Sequence, residues 1–179
     1  MPPLSTADEG LAAEESETAE TRWRVLLDGS DRSAWQAGVF GEDPEFDFDE
    51  RGLVLPQGVP MAGVTYTGVA PQGSYELEVT ATKQYGTDFF LGVTIPVRDA
   101  HLTLVLGGWG GVVCGLSCLD GEDASTNDTR VLRSFPNGKS LVVLLEVSDE
   151  RVVVRLDGET IVDCDLAGRV LSLRPEVEP

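Results

Sequence analysis

The side chains able to do chemistry are few in kind and unevenly placed. His101 is the only histidine in the 179 residues, and histidine alone has an ordinary pKa near neutrality. No G-x-S-x-G nucleophile elbow accompanies it, so spacing supports no serine-hydrolase triad. No P-loop or G-x-G-x-x-G run is present. The run Gly107-Gly108-Trp109-Gly110-Gly111 lacks the strand-to-helix setting of a phosphate cradle. Four glycines around one indole leave it without flanking side chains. Such a ring can stack on the apolar face of a sugar. Equally, the glycines can permit a bend that folds Trp109 back over a core.

Carboxylates are abundant. Glycoside hydrolysis needs two of them ~5–10 Å apart, and Asp88, Asp120, Glu122 and Asp123 are candidates. Glu76 and Glu78, two apart on an extended strand, would stand ~7 Å apart on one sheet face. Alternating glutamates also mark a solvated face. Asp120-Gly121-Glu122-Asp123 resembles a fragment of a calcium loop but lacks EF-hand spacing, and no metal is expected. Asn127-Asp128-Thr129 fits a glycosylation sequon. Lys83-Gln84-Tyr85-Gly86-Thr87-Asp88 joins two apolar runs with a cation, an aromatic and an acid. It reads either as a binding loop or as a hairpin turn with Gly86 at its tip. Cys114 and Cys118 would lie ~13 Å apart on a strand, beyond disulfide reach. With Cys164 they read as three small buried thiols, a pattern suited to a reducing compartment.

These residues must be held by a strand-rich body. Apolar and polar residues alternate in Tyr75-Glu76-Leu77-Glu78-Val79-Thr80, the period of a half-buried strand. Further strands are expected over Phe89 to Val97 (ended at Pro96), His101 to Leu106, Leu141 to Val147, Val152 to Leu156 and Thr160 to Val162. Weaker ones fall at Trp23 to Leu27, Leu53 to Leu55 and Val64 to Thr67. Asp157-Gly158 predicts a two-residue hairpin turn, because both central residues of that turn need positive φ. Arg98-Asp99-Ala100 and Ser148-Asp149-Glu150 predict two more turns. No segment past Trp23 holds a helical period for three turns. Gly and Pro recur every 8–12 residues or so, the spacing of an antiparallel sandwich. The fold class is therefore all-β, two packed antiparallel sheets over residues 22–179.

Before that body, Ser5 to Thr21 carries six acidic residues, no basic one and a single large apolar residue, Leu11. Such a stretch cannot offset its ordering entropy by burial. Residues 1–21 therefore read as a poorly ordered acidic tail or linker, with a nascent helical turn capped by Thr6 and Glu9. No secretory signal is legible at Met1. Thirteen Lys and Arg against 31 Asp and Glu give a formal net charge of −18. That charge disfavours nucleic acid and anionic lipid surfaces. No apolar run approaches the ~18 residues of a membrane span.

Several segments, in order, resemble the 3-keto-disaccharide hydrolase domain family, a branch of the concanavalin-A-like lectin and glucanase jelly rolls. Val25-Leu26-Leu27-Asp28-Gly29-Ser30 with Ala34-Trp35 looks like that family's entry strand, turn and Trp. Tyr75 to Val79 followed by Gly86-Thr87-Asp88-Phe89-Phe90-Leu91-Gly92-Val93 is similar to its central strand pair. Gly108-Trp109-Gly110-Gly111, Gly115-Leu116 and Leu119-Asp120-Gly121 resemble the next stretch. Asn137-Gly138-Lys139, Val152 to Leu156 and Asp157-Gly158 look like its late hairpin. The resemblance covers about Trp23 to Asp163 and implies a jelly-roll sandwich with a carbohydrate-related role, in a domain often carried as a module of larger proteins. It supplies no acid pair that maps onto these positions, so catalytic residues stay unassigned. Family domains usually close with one more strand. Here Arg169-Val170-Leu171-Ser172-Leu173 runs into Arg174-Pro175-Glu176-Val177-Glu178-Pro179, which would leave a truncated sandwich or an edge for a partner strand.

Three functions are in view. The first is a lectin-like module with Trp109, Tyr85, Asp88, His101 and Asp120 lining or rimming a sugar site, without a cofactor. The second is a hydrolase of 3-keto-disaccharides using acids among Asp88, Asp120 and Glu122. The third is an interaction domain whose acidic tail docks a basic partner.

Overall fold

The computed structural model describes residues 23–27, 32–38, 46–58 and 61–174. The acidic segment 1–21, the Asp28-Gly29-Ser30 turn and the residues beyond Arg174 lie outside them. The described chain is an all-β, antiparallel, two-layer sandwich. One sheet has the order β12 (Glu159–Asp165), β11 (Arg151–Leu156), β10 (Ser140–Val147), β5 (Tyr75–Thr82). The other runs β6 (Leu91–Val97), β7 (Ala100–Gly107), β8 (Val113–Ser117), β9 (Val131–Leu132). Two short pairs precede them. β1 (Trp35–Ala37) pairs with β4 (Val64–Tyr66), and β2 (Asp47–Asp49) with β3 (Gly52–Val54). No helix among the described residues is long and apolar enough to cross a membrane.

Alternation builds the layers. Tyr75, Leu77 and Val79 turn inward on β5, while Glu76, Glu78 and Thr80 are exposed. Leu141, Val143, Leu145 and Val147 of β10 join Val152, Val154 and Leu156 of β11 in one core with Ile95, Val97, Leu102, Leu104, Leu106, Cys114 and Leu116 of the other sheet. Leu145, Val152, Val154, Leu102 and Leu104 are fully buried. The Tyr75 hydroxyl crosses between sheets to donate to the Pro96 carbonyl at 2.6 Å, and burial pushes its phenol well above the usual range. Arg98, at φ 57° in the β6–β7 turn, makes a second crossing, donating to the Asp149 and Leu166 carbonyls.

The turns follow their residues. Asp157 and Gly158 have φ 47° and 84°, and the Asp157 carboxylate accepts the Val142 N–H at 2.9 Å. Pro96 lies inside β6, opposite His101, instead of ending it. It is tolerated there because β6 is an edge strand in the described sheet and its missing N–H costs no ladder bond. The strand starts at Leu91, not Phe89, whose φ of 33° is incompatible with extended backbone. Residues 83–90 are not a hairpin turn. β5 and β6 belong to different sheets, so this segment carries the chain from one layer to the other. Trp23 to Leu27 forms no strand; the Trp35 indole N–H donates to the Leu26 carbonyl at 2.9 Å and so fixes that segment. At the far end, residues 170–172 pair with 118–120. Asp120 N–H donates to Val170 O at 2.7 Å and Ser172 N–H to Cys118 O at 3.1 Å. Within Arg169 to Leu173, residues 170–172 thus make a short antiparallel contact.

Leu145→Ala should lower unfolding free energy by about 2–5 kcal/mol, the range for a buried leucine that leaves a cavity. Val142→Ala, on the outer face, should change it by less than about 1 kcal/mol. Urea unfolding of the two variants checks the assignment of faces.

Candidate functional site

Two loops meet at one end of the sandwich, the 83–90 crossover and the turn Gly108–Gly111. Gly107, Trp109, Gly110 and Gly111 all have positive φ, between 48° and 87°. A bulky residue in that region is strained, so something must hold Trp109 there. The Asp88 carboxylate supplies it. Its Oδ1 accepts the N–H groups of Gly110 (3.1 Å), Gly111 (2.9 Å) and Phe89 (2.8 Å). That approach demands glycine at 111, where an added Cβ would stand 2.2 Å from the Thr87 carbonyl oxygen. Gly107 likewise leaves room for the stacked Phe90 and Phe135 rings, 4.7 Å apart.

Three large rings carried by these two loops are exposed. Trp109 is 43 % exposed, Phe89 39 % and Tyr85 60 %. Phe89 lies against Gly92, where an added Cβ would meet its ring at 3.0 Å. The indole is not bare on both faces. The Arg174 guanidinium sits 5.5 Å from its ring centroid, and Arg174 Nη1 donates to Ser117 Oγ (2.8 Å) and Asp123 Oδ1 (3.0 Å). Trp109 thus neither folds into the core nor stands alone.

The five residues expected at a sugar site divide. Tyr85 and Asp88 share the crossover, and Asp88 is bonded to the turn that carries Trp109. His101 is the second residue of β7, six residues of extended chain before Gly107, so its backbone is ~20 Å away. Asp120 belongs to another cluster. Its carboxylate accepts the Val170 N–H at 2.8 Å and pairs with Arg169 at 2.9 Å. The segment read as a calcium-loop fragment is a tight turn, with Asp120 at φ 56° and Gly121 at φ 78°, closed by the Glu122 N–H on the Leu119 carbonyl. It repeats the Asp-Gly geometry of residues 157–158. Among the described residues no group of three or more His, Cys, Asp and Glu is arranged to hold a metal.

The residues that brace this region read in the sequence only as a glycosylation sequon. Asn127 is buried. Its amide donates to the Leu116 carbonyl (2.7 Å) and the Glu122 carbonyl (3.3 Å), and its Oδ1 accepts Thr129 N–H and Oγ1. Thr129 Oγ1 in turn accepts the Leu116 N–H at 2.9 Å. The Asn-x-Thr pattern is here a bracket that stitches the 119–130 excursion onto the outer edge of β8. Gly115 serves the same purpose, since an added Cβ would lie 2.9 Å from Thr129 Oγ1.

A cleft of about 260 Å³ opens between β9 and β12, lined by Val131, Ile161, Val162, Cys164, Asp128 and Arg169 among others. The Arg169 guanidinium holds the Asp128 carboxyl below the usual range. Burial pushes the Cys164 and Cys114 thiols up. None of the three cysteines is in a disulfide and all three are buried, and raised thiols such as those of Cys114 and Cys164 are poor nucleophiles. On the outer face of the first sheet, Arg155 lowers the pKa of Glu146 and Arg151 that of Asp163, at 2.7 Å and 2.6 Å respectively.

No protein-family model, curated protein or solved structure matches the chain.

Two outcomes follow. Asn127→Ala should destabilise by about 1–3 kcal/mol, because it strands the buried Leu116 carbonyl and Thr129 hydroxyl; Asp128→Ala, at the exposed middle position, should cost less. Thermal melts of both compare them. Folded-state pKa values of Asp128, Glu146 and Asp163 lie below their unfolded values, so folding favours their ionised forms. Their contribution is complete above the ordinary values of 3.8 for Asp and 4.5 for Glu and disappears as pH falls below them. Urea midpoints should therefore drop on acidification through that window, and Arg155→Met should remove the part due to Glu146.

Proposed function

We propose that the domain is a carbohydrate-binding, lectin-like module whose platform is the Trp109 indole, rimmed by Tyr85 and Phe89. The observation that carries this reading is a solvent-facing tryptophan held in a left-handed turn by the Asp88 carboxylate. Strain at a bulky residue is retained where surrounding groups fix it, and such positions concentrate at ligand sites. A flat apolar ring beside polar groups suits a sugar, which offers a C–H face and a rim of hydroxyls. The second carboxylate oxygen of Asp88 and the Tyr85 hydroxyl would accept or donate to those hydroxyls. The ordered resemblance to concanavalin-A-like domains of the 3-keto-disaccharide hydrolase type supports the same ligand class.

Binding is favoured over hydrolysis of 3-keto-disaccharides because two of the three candidate acids, Asp88 and Asp120, already have structural work. Asp88 Oδ1 is shared by three backbone N–H groups, and Asp120 is held by Arg169 and Val170. An oligosaccharide array followed by calorimetry tests the proposal. Wild-type protein should capture neutral glycans, and Trp109→Ala should lose up to about tenfold in affinity, the upper end of the ~0.5–1.5 kcal/mol attributed to an aromatic stacking contact. Retention of glycan capture by Trp109→Ala would remove the platform, and an empty array would remove the sugar.

A further inference from the structure

We propose that Arg174 is the positioning residue of the Trp109 platform: its guanidinium backs one face of the indole and sets which face a ligand meets. This rests on the reading of Trp109 as a sugar platform and adds the group that orients it. Trp109 lies between Gly108 and Gly110, and an added Cβ at Gly110 would meet nothing within 4 Å. Neighbours along the chain therefore give the ring no lateral wall. Backbone hydrogen bonds to Asp88 fix where the residue starts, not where its ring points. The group seen over the ring is the Arg174 guanidinium, 5.5 Å from the centroid.

That guanidinium is itself clamped. Ser117 Oγ and Asp123 Oδ1 take Nη1 at 2.8 Å and 3.0 Å. Ser117 Oγ is fixed further, accepting the Ala124 N–H at 3.1 Å. The Arg174 side chain is only 17 % exposed, whereas Trp109 remains 43 % exposed. Arg174 reaches this place because residues 170–172 pair with 118–120. The arrangement brings together residues 109, 117, 123 and 174. A planar cation suits the role, since it can stack on an aromatic face and keep hydrogen-bonding in its own plane, which a lysine ammonium cannot do. With one face occupied by a cation, the indole offers a single face. The ligand it fits is one sugar plane laid flat, not a sugar gripped between two rings.

The test uses the full chain with Arg174→Gln, Arg174→Lys and Asp123→Asn. Two readings are taken on each. One is the Trp109 indole N–H resonance in a ¹⁵N–¹H spectrum without ligand. The other is calorimetric titration with cellobiose, maltose and their 3-keto derivatives; melting temperature reports folding. Arg174→Gln and Arg174→Lys should both move the indole resonance and weaken sugar binding about tenfold, the scale of a desolvated cation–π contact. Asp123→Asn should shift both readings in the same direction by less, and melting should change little in any of the three. Full affinity with an unmoved resonance in Arg174→Gln overturns the inference while leaving the sugar reading in place. Full rescue by Arg174→Lys overturns the requirement for a planar stack. If the wild type binds none of the four sugars, the sugar reading falls, and an unmoved resonance in Arg174→Gln would then overturn the positioning role as well.

Discussion

The aliphatic layer between the two sheets is the constraint from which the rest of the molecule follows. Leu102, Leu104 and Leu106 on one side and Val143, Leu145, Val152 and Val154 on the other are buried to 2 % exposure or less. Burial of this kind is non-directional; it fixes which face of each strand points inward, not the fine geometry at the strand ends. It also demands a period of two, because one residue of slip would send every inward side chain to solvent. Once that layer is set, the chain must cross from sheet to sheet at fixed places. The 83–90 segment is one such crossing, and it delivers Tyr85, Asp88 and Phe89 to the end where the Trp109 turn begins.

At the strand ends the directional work passes to short polar side chains. Asp88 gathers the N–H groups of the left-handed turn. Asn127 ties the 119–130 excursion to β8. Asp157 accepts from β10 at the mouth of its own hairpin. In each case a side-chain oxygen or amide replaces the backbone partner that a strand would have provided, since buried or strained backbone groups cannot be left unpaired without cost. The same residue type is therefore scaffold in one loop and candidate ligand contact in another. Asp88 is exposed, and its scaffold role engages one carboxylate oxygen, which accepts three N–H groups.

The layers and hairpins were legible in the sequence because they rest on local pattern. Tyr75 to Val79 alternates, and Asp157-Gly158 meets the demand for two positive φ values, so each could be read without its partners. Asp120-Gly121 carries the same turn signal, but among neighbouring acids Asp120 reads as a candidate acid or sugar contact instead. Pro96 reads as a strand end until the edge position of β6 is known. The 83–90 segment reads as a hairpin because sequence does not say which sheet a strand joins. In the candidate region, Trp109 stands out by its glycines and Asp88 by its loop. Arg174 was not found, since its link to Trp109 spans 65 positions and depends on the 170–172 contact with 118–120. Asn127 looked like a glycosylation acceptor, because a sequon and a buried Asn–Thr bracket are spelled with the same letters.

Charge narrows the chemistry of whatever meets Trp109. Among the described residues, arginines are drawn into ion pairs on both sheets and loops, Arg151 with Asp163, Arg155 with Glu146, Arg169 with Asp120 and Asp128, Arg174 with Asp123. The basic side chains thus act as braces, and the surplus that sets the long-range field is negative, −18 over the chain. A field of that sign slows and weakens the approach of anions, including phosphorylated or uronate-bearing sugars. The cation at the ring, Arg174, has its charge matched by Asp123. A neutral ligand that gains mainly by laying an apolar face on the indole suffers no such repulsion. Screening sorts the two cases in the same way: contact with a neutral sugar should be nearly indifferent to salt, whereas an exposed charge–charge contact weakens as the Debye length shrinks to about 8 Å at physiological ionic strength.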